Sequence, residues 1–401
     1  VYLEQFGAQE DTAMDELPRA ASAATGVSRV TTNLSKLVFD KTWPVQRGNI
    51  EIDFNGADID WVGIYNIYWD DYGVGSAGAP LGVGDRTAGV IGWRSVPTDT
   101  DIKTVTSAVT ADTNLLTLDS VSGLAVGDYV SMEVVFPLRT ERMLARIVEI
   151  TGLVVAINYT FAFDADSCSL QKMDVYENIS VKGIGKFNDL AIWEDYTDEP
   201  TSGAWIAGPV VFRGCANVFM EQGKFFNAWY PAVLAYECQD IKIGNVSAIH
   251  PRAVDGGQGY VLQVIKSSFF EVYGLEGWDC RHVFDSSGSS FGNITDCRST
   301  RTSSASGGSF SYGTHGEYEH DLVFRDCYDI GSRLSFSIAR AGIAFGSTNK
   351  RISIIGGSLS GAILCENVDD MLMRDVDSTH ADPLTPHRLG VRGSVLLENV
   401  K

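Results

Sequence analysis

One short strand pattern recurs along the second half of the chain, and it constrains the fold more than any other feature. At most of its stations the residue two places further on is also apolar. Alternation with period two, repeated once per turn, predicts a right-handed parallel β-helix over residues 176–401. The eight stations, spaced 19 to 30 residues apart, are Val218, Ile241, Phe270, Gly292, Leu322, Ile352, Met371 and Val395.

The intervals between stations vary, so the predicted repeat has a constant core strand and turns of variable length. Just upstream of most stations lies another apolar strand, for example Val233-Leu234-Ala235, and polar turn residues such as Gln239-Asp240 separate the two. A β-sandwich is the alternative, because its strands would alternate in the same way. A sandwich does not predict that equivalent residue types recur at one station along the chain. Turns of variable length on a constant stack are where we expect function.

The rest of the chain divides into two further parts. Residues 1–98 are predicted to form an N-terminal cap and the first coils, with a helix from Met14 to Ala24 and a strand from Ile50 to Phe54. A short helix at the end of a solenoid would shield its open strand edges. Residues 99–175 break the pattern with short strands joined by short turns, which predicts a small antiparallel β-domain inserted into the solenoid.

The charge balance excludes several classes of partner. A formal net charge of −20 repels phosphates and anionic lipid, and no run of Lys or Arg reverses it locally, so we expect neither a nucleic-acid nor a membrane partner. The seven cysteines form no Cys-x-x-Cys pair and no metal-like spacing with His, so we expect free buried thiols and no metal site. No phosphate-cradling glycine loop is found, and no cofactor is predicted.

The start of the chain, Phe6-Gly7-Ala8 followed by Asp11-Thr12, resembles the entry segment of the pectate-lyase-like β-helix superfamily. With the irregular repeat and an inserted module that carries the segment from Gly123 to Val130, GLAVGDYV, the chain is similar to bacteriophage tailspikes. The resemblance implies a homotrimer of the virion tail that binds and cuts bacterial capsule or O-antigen. It also implies assembly in the host cytoplasm, action outside the cell and attachment to the tail through a further N-terminal part.

One turn holds the densest group of ionisable residues. From Thr314 to Asp321 five of eight residues are Asp, Glu or His, and the preceding coil adds further candidates. Because neighbouring coils lie about 4.8 Å apart, we expect these side chains to be within reach of one another. The predicted catalytic carboxylates are Glu317, Glu319, Asp321 and Asp285. The predicted substrate-binding residues are Arg281, His282, His315, Tyr318, His320 and Trp278.

Glycoside hydrolysis needs two carboxyl groups, about 5–5.5 Å apart for retention or about 6.5–9.5 Å for inversion, and this cluster could supply either spacing. The sequence therefore predicts a depolymerase that hydrolyses a bacterial surface polysaccharide. One alternative is a β-eliminating lyase with His315 or His282 as base and Arg281 neutralising a uronate. A second is a receptor-binding fibre that binds glycan without cutting it. A third is a secreted enzyme acting on plant polysaccharide.

Overall fold

The computed structural model describes the chain except for residues 15–16, 42, 64–88, 138–139, 191–207, 229–230, 252–258, 303–309, 315–317, 339–348, 380–386 and 392. Within the described residues, 28 strands join through parallel pairing into one continuous solenoid, and six further strands form a separate sheet. The prediction of an all-β parallel β-helix is confirmed, because a sandwich of antiparallel strands would not pair in this way. No described helix is long and apolar enough to cross a membrane.

The first stack of strands, sheet A, is buried along both of its faces in the middle of the solenoid. All six residues of Tyr260–Ile265, for example, are buried. This continuous burial agrees with the runs of apolar residues that lie just upstream of most stations in the sequence. The strands are β3 (Trp43–Pro44), β6 (Gly89–Arg94), β15 (Gly208–Arg213), β17 (Val233–Tyr236), β19 (Tyr260–Ile265), β22 (His282–Ser287), β25 (Phe310–Thr314), β28 (Leu334–Ile338), the first part of β31 (Ala362–Arg374) and β33 (Arg388–Val391).

The second stack, sheet B, carries the predicted stations. The eight station residues are paired with one another in a single register from Val218 to Val395, so the repeat is confirmed residue by residue. The strands are β1 (Arg29–Thr31), β4 (Ile50–Asp53), β13 (Glu177–Lys182), the first parts of β16 (Ala216–Phe226) and β18 (Gln239–Ile249), β20 (Ser268–Tyr273), β23 (Ser290–Thr295), β26 (His320–Arg325), β29 (Asn349–Ile355), the second part of β31 and β34 (Val395–Glu398).

The third stack, sheet C, consists of shorter strands that alternate strictly between buried and exposed residues in the middle coils. Its inward residues complete the core, and its outward residues face solvent. The strands are β2 (Lys36–Phe39), β5 (Asp58–Trp61), β14 (Phe187–Asp189), the second parts of β16 and β18, β21 (Glu276–Trp278), β24 (Arg298–Thr300), β27 (Tyr328–Ile330), β30 (Ser358–Leu359) and β32 (Asp377–Ser378).

The core explains why one station holds a glycine. A Cβ built on Gly292 would lie 2.1 Å from the ring of Phe270, the station residue of the preceding coil. That ring is 2% exposed and packs on Phe284 with ring centroids 6.0 Å apart. The large side chain of one coil therefore occupies the space that the next coil leaves empty, as close packing of an interior requires.

Bends in left-handed conformation frame sheet B on both sides. A left-handed backbone conformation is costly for most residues other than Gly, Asn and Asp. This cost explains the polar turns seen in the sequence. Near the start of each B strand the column is Asn49, Asn178, Asn217, Asp240, Phe269, Phe291, Asp321, Arg351 and Asp370, with φ from 50° to 62°. At its end the column is Gly183, Gln222, Asn245, Gly274, Asp296, Asp326, Gly356, Asp375 and Asn399, with φ from 51° to 71°.

The N-terminal part caps the solenoid with two short helices. A 3-10 helix spans Leu3–Phe6, and the α-helix spans Leu17–Ala23, shorter than the predicted stretch from Met14 to Ala24. Leu3 and Ala21 are buried in the solenoid core. Ala20 of the same helix is exposed.

Six antiparallel strands form the inserted module, with its own apolar core. The confirmed fold class includes this domain and the capping helix. The strand order is β7–β12–β9–β10–β11–β8, and the strands are β7 (Val96–Thr104), β8 (Leu115–Thr117), β9 (Tyr129–Val135), β10 (Thr140–Thr151), β11 (Val154–Ile157) and β12 (Ser167–Asp174). The chain re-enters the solenoid at β13, which pairs with β4 across the insertion.

All seven cysteines are buried and free, as predicted. Cys215 and Cys238 lie on neighbouring coils, where the Cys215 backbone N–H donates to Cys238 Sγ at 3.5 Å. Ser267 continues the column, because its hydroxyl accepts from the Cys238 backbone N–H at 3.0 Å. These thiols act as small core residues at the bends.

Candidate functional site: a groove on the outer face of sheet B

The inserted module contacts the solenoid along one column of residues at the start of the B strands. Near the N-terminal end of the column, Tyr129 donates to Glu177 at 3.2 Å. Further along, Gln239 Nε2 donates to Asn158 Oδ1 at 3.1 Å. A single edge of sheet B therefore carries the module over several coils.

The contact becomes denser towards the later coils. His320 Nε2 lies 2.8 Å from the hydroxyl of Tyr159, and Lys350 Nζ donates to the carbonyl of Ala162 at 2.6 Å. The Lys350 ammonium also lies 4.6 Å from the centroid of the Phe163 ring, within cation–π range. Burial lowers the pKa of His320 and raises that of Tyr159, so both rings are neutral at pH 7.

A cleft of about 520 Å³ lies on the outer face of sheet B. The residues immediately before and immediately after successive stations line it, because side chains alternate between the two faces of a strand. With five coils about 4.8 Å apart, the cleft is roughly 19 Å long. Its outward lining residues are Asn217, Phe219, Asp240, Lys242, Phe269, Glu271, Phe291, Asn293, Asp321 and Val323. We call this cleft the groove.

Two carboxylates lie in the middle of the groove on adjacent coils. Glu271 is paired in register with Lys242, and their charged groups are 3.0 Å apart. The hydrogen bond to Glu271 raises the pKa of Lys242. Asp240 reaches solvent, yet the surrounding protein removes enough water from its carboxyl to raise its pKa, against the opposing field of Arg146 from the module. The two carboxyl groups therefore have different environments.

Two phenylalanine rings line the groove beside these carboxylates. Phe269 and Phe291 stack with centroids 4.8 Å apart and planes 5° from parallel, at a spacing that the coil repeat imposes. Phe291 also packs against the module, with its ring 5.7 Å from that of Tyr159. Both rings are half-buried, so part of each remains available to a ligand.

Asp321, one of the predicted catalytic residues, lies at the far end of the groove. Both of its oxygens accept from Arg351 at 2.7 Å, and Oδ2 also lies 2.8 Å from Nδ1 of His320. Burial alone would raise the pKa of Asp321, but the bonds from Arg351 and His320 outweigh it and lower that pKa. Asp321 is therefore an ionised anchor for Arg351 and for the ring that contacts the module.

Glu319 and Asp285, also predicted as catalytic, are fully buried. Glu319 accepts from Ser286 Oγ at 2.8 Å, and its backbone N–H donates to Asn349 Oδ1 at 3.1 Å. Burial raises the pKa of Glu319 to about 8, although bonds from Ser286 and Thr314 oppose the shift. Asp285 accepts from Gln263 Nε2 at 2.8 Å. The structure therefore gives both carboxyl groups contacts inside the protein and no exposed surface.

The predicted binding residues His282 and Arg281 contact neighbouring aromatic groups. His282 is 1% exposed, its Nδ1 lies 2.5 Å from the carbonyl oxygen of Phe310, and its ring stacks on the Phe310 ring at 4.0 Å. The guanidinium of Arg281 lies 5.7 Å from the ring centroid of Tyr260. Neither residue lines the groove.

The remaining predicted residues fall in three different places. Tyr318 stacks on Phe136 of the module at 4.1 Å, which makes it a contact between module and solenoid. Trp278 is 45% exposed on the outer face of sheet C, beyond the bend that ends sheet B. Glu317 and His315 lie outside the described residues. The structure therefore does not bring the described members of the predicted set together in one open site.

The sequence prediction missed the groove residues Asp240, Lys242, Glu271, Phe269 and Phe291. Their signal was already present in the repeat, because each stands one place before or after a station. The outward positions of a strand that alternates are those next to its inward positions. Reading these flanking columns, instead of the density of charge on one turn, would have identified the floor of the groove.

The described residues contain no group of three or more His, Cys, Asp or Glu side chains placed to hold a metal ion. The groove instead offers carboxylates, one ammonium and aromatic rings. These groups suit a ligand with hydroxyl groups and apolar faces, such as a sugar chain.

Solved structures with a similar fold are found, but no match is found at the level of sequence. No protein-family model matches the chain, and no curated protein matches it. The tailspike of Pseudomonas phage phi297 has a similar structure with 13% sequence identity and a TM-score of 0.58, over all of this chain and 74% of that one. The tailspike of Pseudomonas phage LKA1 matches with 13% identity and a TM-score of 0.55, over 100% and 81% of the two chains.

A third similar structure contains a saccharide. It is the tailspike of Acinetobacter baumannii bacteriophage AP22 in complex with an A. baumannii capsular saccharide, with 10% identity and a TM-score of 0.55 over all of this chain and 69% of that one. The predicted resemblance to phage tailspikes is thus confirmed at the level of the fold. The chain is a right-handed parallel β-helix of the kind found in phage tailspikes.

Proposed function

We propose that the protein binds a bacterial surface polysaccharide, capsule or O-antigen, in the groove and cleaves it by hydrolysis, as a component of a phage tail. The observation that carries the proposal is the groove itself. It is long enough for several sugar units, it is lined by stacked rings, and it holds two carboxyl groups on adjacent coils in different environments. The tailspike fold, with one relative in complex with capsular saccharide, supports the same ligand class.

In this proposal Asp240 is the general acid and Glu271 is the second carboxylate. Asp240 is level with Phe269 on the neighbouring strand, two residues before Glu271, so one coil spacing and two residues separate their backbones by roughly 8 Å. That separation is compatible with the carboxyl spacing of either glycosidase class, and more nearly with inversion, which needs about 6.5–9.5 Å. The raised pKa of Asp240 favours the protonated form that an acid requires.

Two cations at the groove favour hydrolysis over β-elimination, while Arg146 of the module, whose field reaches Asp240, does not distinguish the two reactions. A lyase needs a positive group that neutralises the substrate carboxylate. Among the described residues at the groove, Lys242 is engaged by Glu271 and Arg351 by both oxygens of Asp321. Each cation would have to give up its own carboxylate partner before it could neutralise a uronate.

The described carboxylates that the sequence predicted as catalytic have supporting roles in this proposal. Asp321 anchors the end of the groove, and Glu319 and Asp285 support the bend behind it. Glu317 and His315 remain predicted contributors at the same turn. Homotrimer formation, attachment to the phage tail and assembly in the host cytoplasm are further expectations of the tailspike reading.

The test is fragment release from a panel of purified capsules and O-antigens by the native chain, Asp240→Asn and Glu271→Gln. Each substitution keeps shape and removes one titratable group, so cleavage should fall by about 100-fold or more while glycan binding persists. Glu398→Gln is the matched control, because Glu398 is an exposed carboxylate on the last strand of sheet B and lies outside the lining of the groove.

Three outcomes would contradict parts of the proposal. Normal cleavage by both groove variants would show that the reaction takes place elsewhere, and Glu317→Gln would then test the turn predicted from the sequence. Products with an unsaturated uronate absorbance would show elimination instead of hydrolysis. Binding of one glycan without release of fragments by the native chain would identify a receptor-binding fibre.

A further inference from the structure

The outer face of sheet C carries a compact group of exposed apolar side chains. Within the described part of residues 208–378, the large hydrophobic residues that are exposed are Trp278, Tyr328 and Ile330, at 45%, 39% and 64%. All three belong to strands β21 and β27, which are separated by the single strand β24. The largest exposed apolar patch of a protein is often a binding surface.

The strand register places these side chains in two neighbouring columns. One column runs from Trp278 through Thr300 to Ile330, and the other from Glu276 through Arg298 to Tyr328. Each column spans two coil spacings, about 10 Å. Apolar groups thus alternate with hydroxyl, carboxylate and guanidinium groups on one flat surface. The guanidinium of Arg298 lies 5.7 Å from the centroid of the Tyr328 ring, which holds it over the aromatic face.

The three exposed side chains would make up only a small part of the surface that a stable protein interface covers. At the fractions given above, three side chains of this size expose roughly 300 Å² together. A stable interface between proteins needs about 800 Å² on each side. The patch therefore suits a ligand that covers only a few side chains.

We propose that this patch is a second saccharide-binding site, separate from the groove, which takes a short, uncharged stretch of the same polysaccharide. The apolar faces of sugar rings would stack on Trp278 and Tyr328, and sugar hydroxyls would bond to Arg298, Glu276 and Thr300. Glu276 and Arg298 are register neighbours of opposite charge, so the patch attracts neither polyanion nor polycation. This inference rests on the proposed function for its class of ligand.

The patch and the groove lie on different faces of the same coils. Strand β20 of the groove and strand β21 of the patch follow one another, separated by the bend at Gly274. One long polysaccharide could engage both faces, while a short fragment could engage only one. The second site would therefore hold a polymer near the groove between cleavage events by raising its effective concentration.

The test uses the polysaccharide that the chain binds in the panel above, and short fragments of it made by mild acid hydrolysis. Apparent Kd for the polymer is measured by surface plasmon resonance on Trp278→Ala and Tyr328→Ala in a Glu271→Gln background that does not cut. Each substitution should weaken polymer binding by about 10-fold. Tyr2→Ala is the matched control, because Tyr2 is an aromatic residue that is 43% exposed at the N-terminal cap. Each substitution should weaken binding of the short fragments by less than it weakens binding of the polymer, because a fragment held in the groove makes no contact with the patch.

The outcomes separate this inference from the proposed function. If the native chain binds no glycan, the proposed function fails. If it binds glycan and both patch variants bind as tightly as the control, only the second site is refuted. A change of oligomeric state in Trp278→Ala, measured by light scattering, would overturn the saccharide assignment in favour of contact with another copy of the chain.

Discussion

The outer faces of sheets B and C are built by the same coils and differ in what covers them. On sheet B the rings of Phe269 and Phe291 are half-buried beside the inserted module. On sheet C the rings of Trp278 and Tyr328 face solvent. The strands of both sheets repeat at the same spacing, because the coils are continuous.

This contrast shows where specificity enters a solenoid. The repeat supplies nearly equivalent surfaces, and the insertion lies at the edge of only one of them, where Phe291 of the groove packs against it. The module contacts the start of the B strands through His320, Gln239 and Lys350, and it brings Arg146 near enough to act on Asp240. A solenoid can thus acquire a site without changing its core.

Loss of the contact between module and solenoid should have the largest effect on the difference between the two faces. His320→Ala deletes the bond to Tyr159 and leaves a cavity under a buried interface, so we expect a loss of about 3 kcal/mol in unfolding free energy. Denaturant unfolding measures it. Glycan affinity should fall at the groove and not at the sheet C patch.

The control for that change is His250→Ala, because the His250 side chain is 67% exposed and contacts Asp279 on the solenoid. Its effect on stability should be below about 0.5 kcal/mol. Equal stability of His320→Ala and the native chain would mean that the module is held by its other contacts alone.

Glu319 lies at the bend next to sheet B and should make the native stability depend on pH. Its pKa is raised from 4.5 to about 8 in the folded chain, so the folded state binds the extra proton. This contribution is complete below pH 4.5 and is lost as pH rises towards 8, by about 1.4 kcal/mol per unit. From pH 6 to pH 8 the native chain should therefore lose about 2 kcal/mol relative to Glu319→Gln, because the slope flattens as pH approaches the folded-state pKa.

The measurement is the difference in unfolding free energy between the two proteins at several pH values, since the difference cancels other titrating groups. At pH 5 the two proteins should be similar, because Gln resembles the neutral acid. Parallel pH profiles would show that Glu319 is ionised in the folded chain at pH 7.

An added methyl group should cost more stability in the crowded core behind sheet B than at a position of sheet A with open space around it. Gly292→Ala places a Cβ against the buried Phe270 ring and should cost about 2 kcal/mol. Gly390→Ala is the control in sheet A, because the nearest atom to its Cβ would be 3.6 Å away. Thermal unfolding compares the two.

A second substitution tests the cause. Adding Phe270→Leu to Gly292→Ala should recover part of the lost stability, because the smaller side chain vacates the contested space. An additive loss in the double variant would show that the strain at Gly292 has another origin.

The fold could be read from the sequence to the level of strand register. The station column from Val218 to Val395 is paired as predicted, because a period-two pattern leaves only one way to bury its apolar residues. The module and the capping helix were recognisable as breaks in that pattern. The helix ends at Ala23, one residue earlier than predicted, because a run of alanines does not determine the last residue of a helix.

The candidate site was less accessible to sequence reasoning. Charge density on the turn from Thr314 to Asp321 could not tell which side chains would point inward. Glu319 became internal, Asp321 became the partner of Arg351, and Tyr318 became a contact with the module. The groove residues flank the stations and carry no unusual local composition, so nothing local in the sequence distinguishes them from other outward residues.

The sequence by itself determined the parallel solenoid, its register, its buried thiols and its separate β-module. These properties follow from local alternation and from the burial of apolar surface, which neighbouring residues specify. Only the tertiary structure decided which face became a groove, which carboxyl group was buried and which rings stayed exposed. Those properties depend on contacts between residues that are far apart in the sequence, such as Ser286 with Glu319 and Tyr159 with His320.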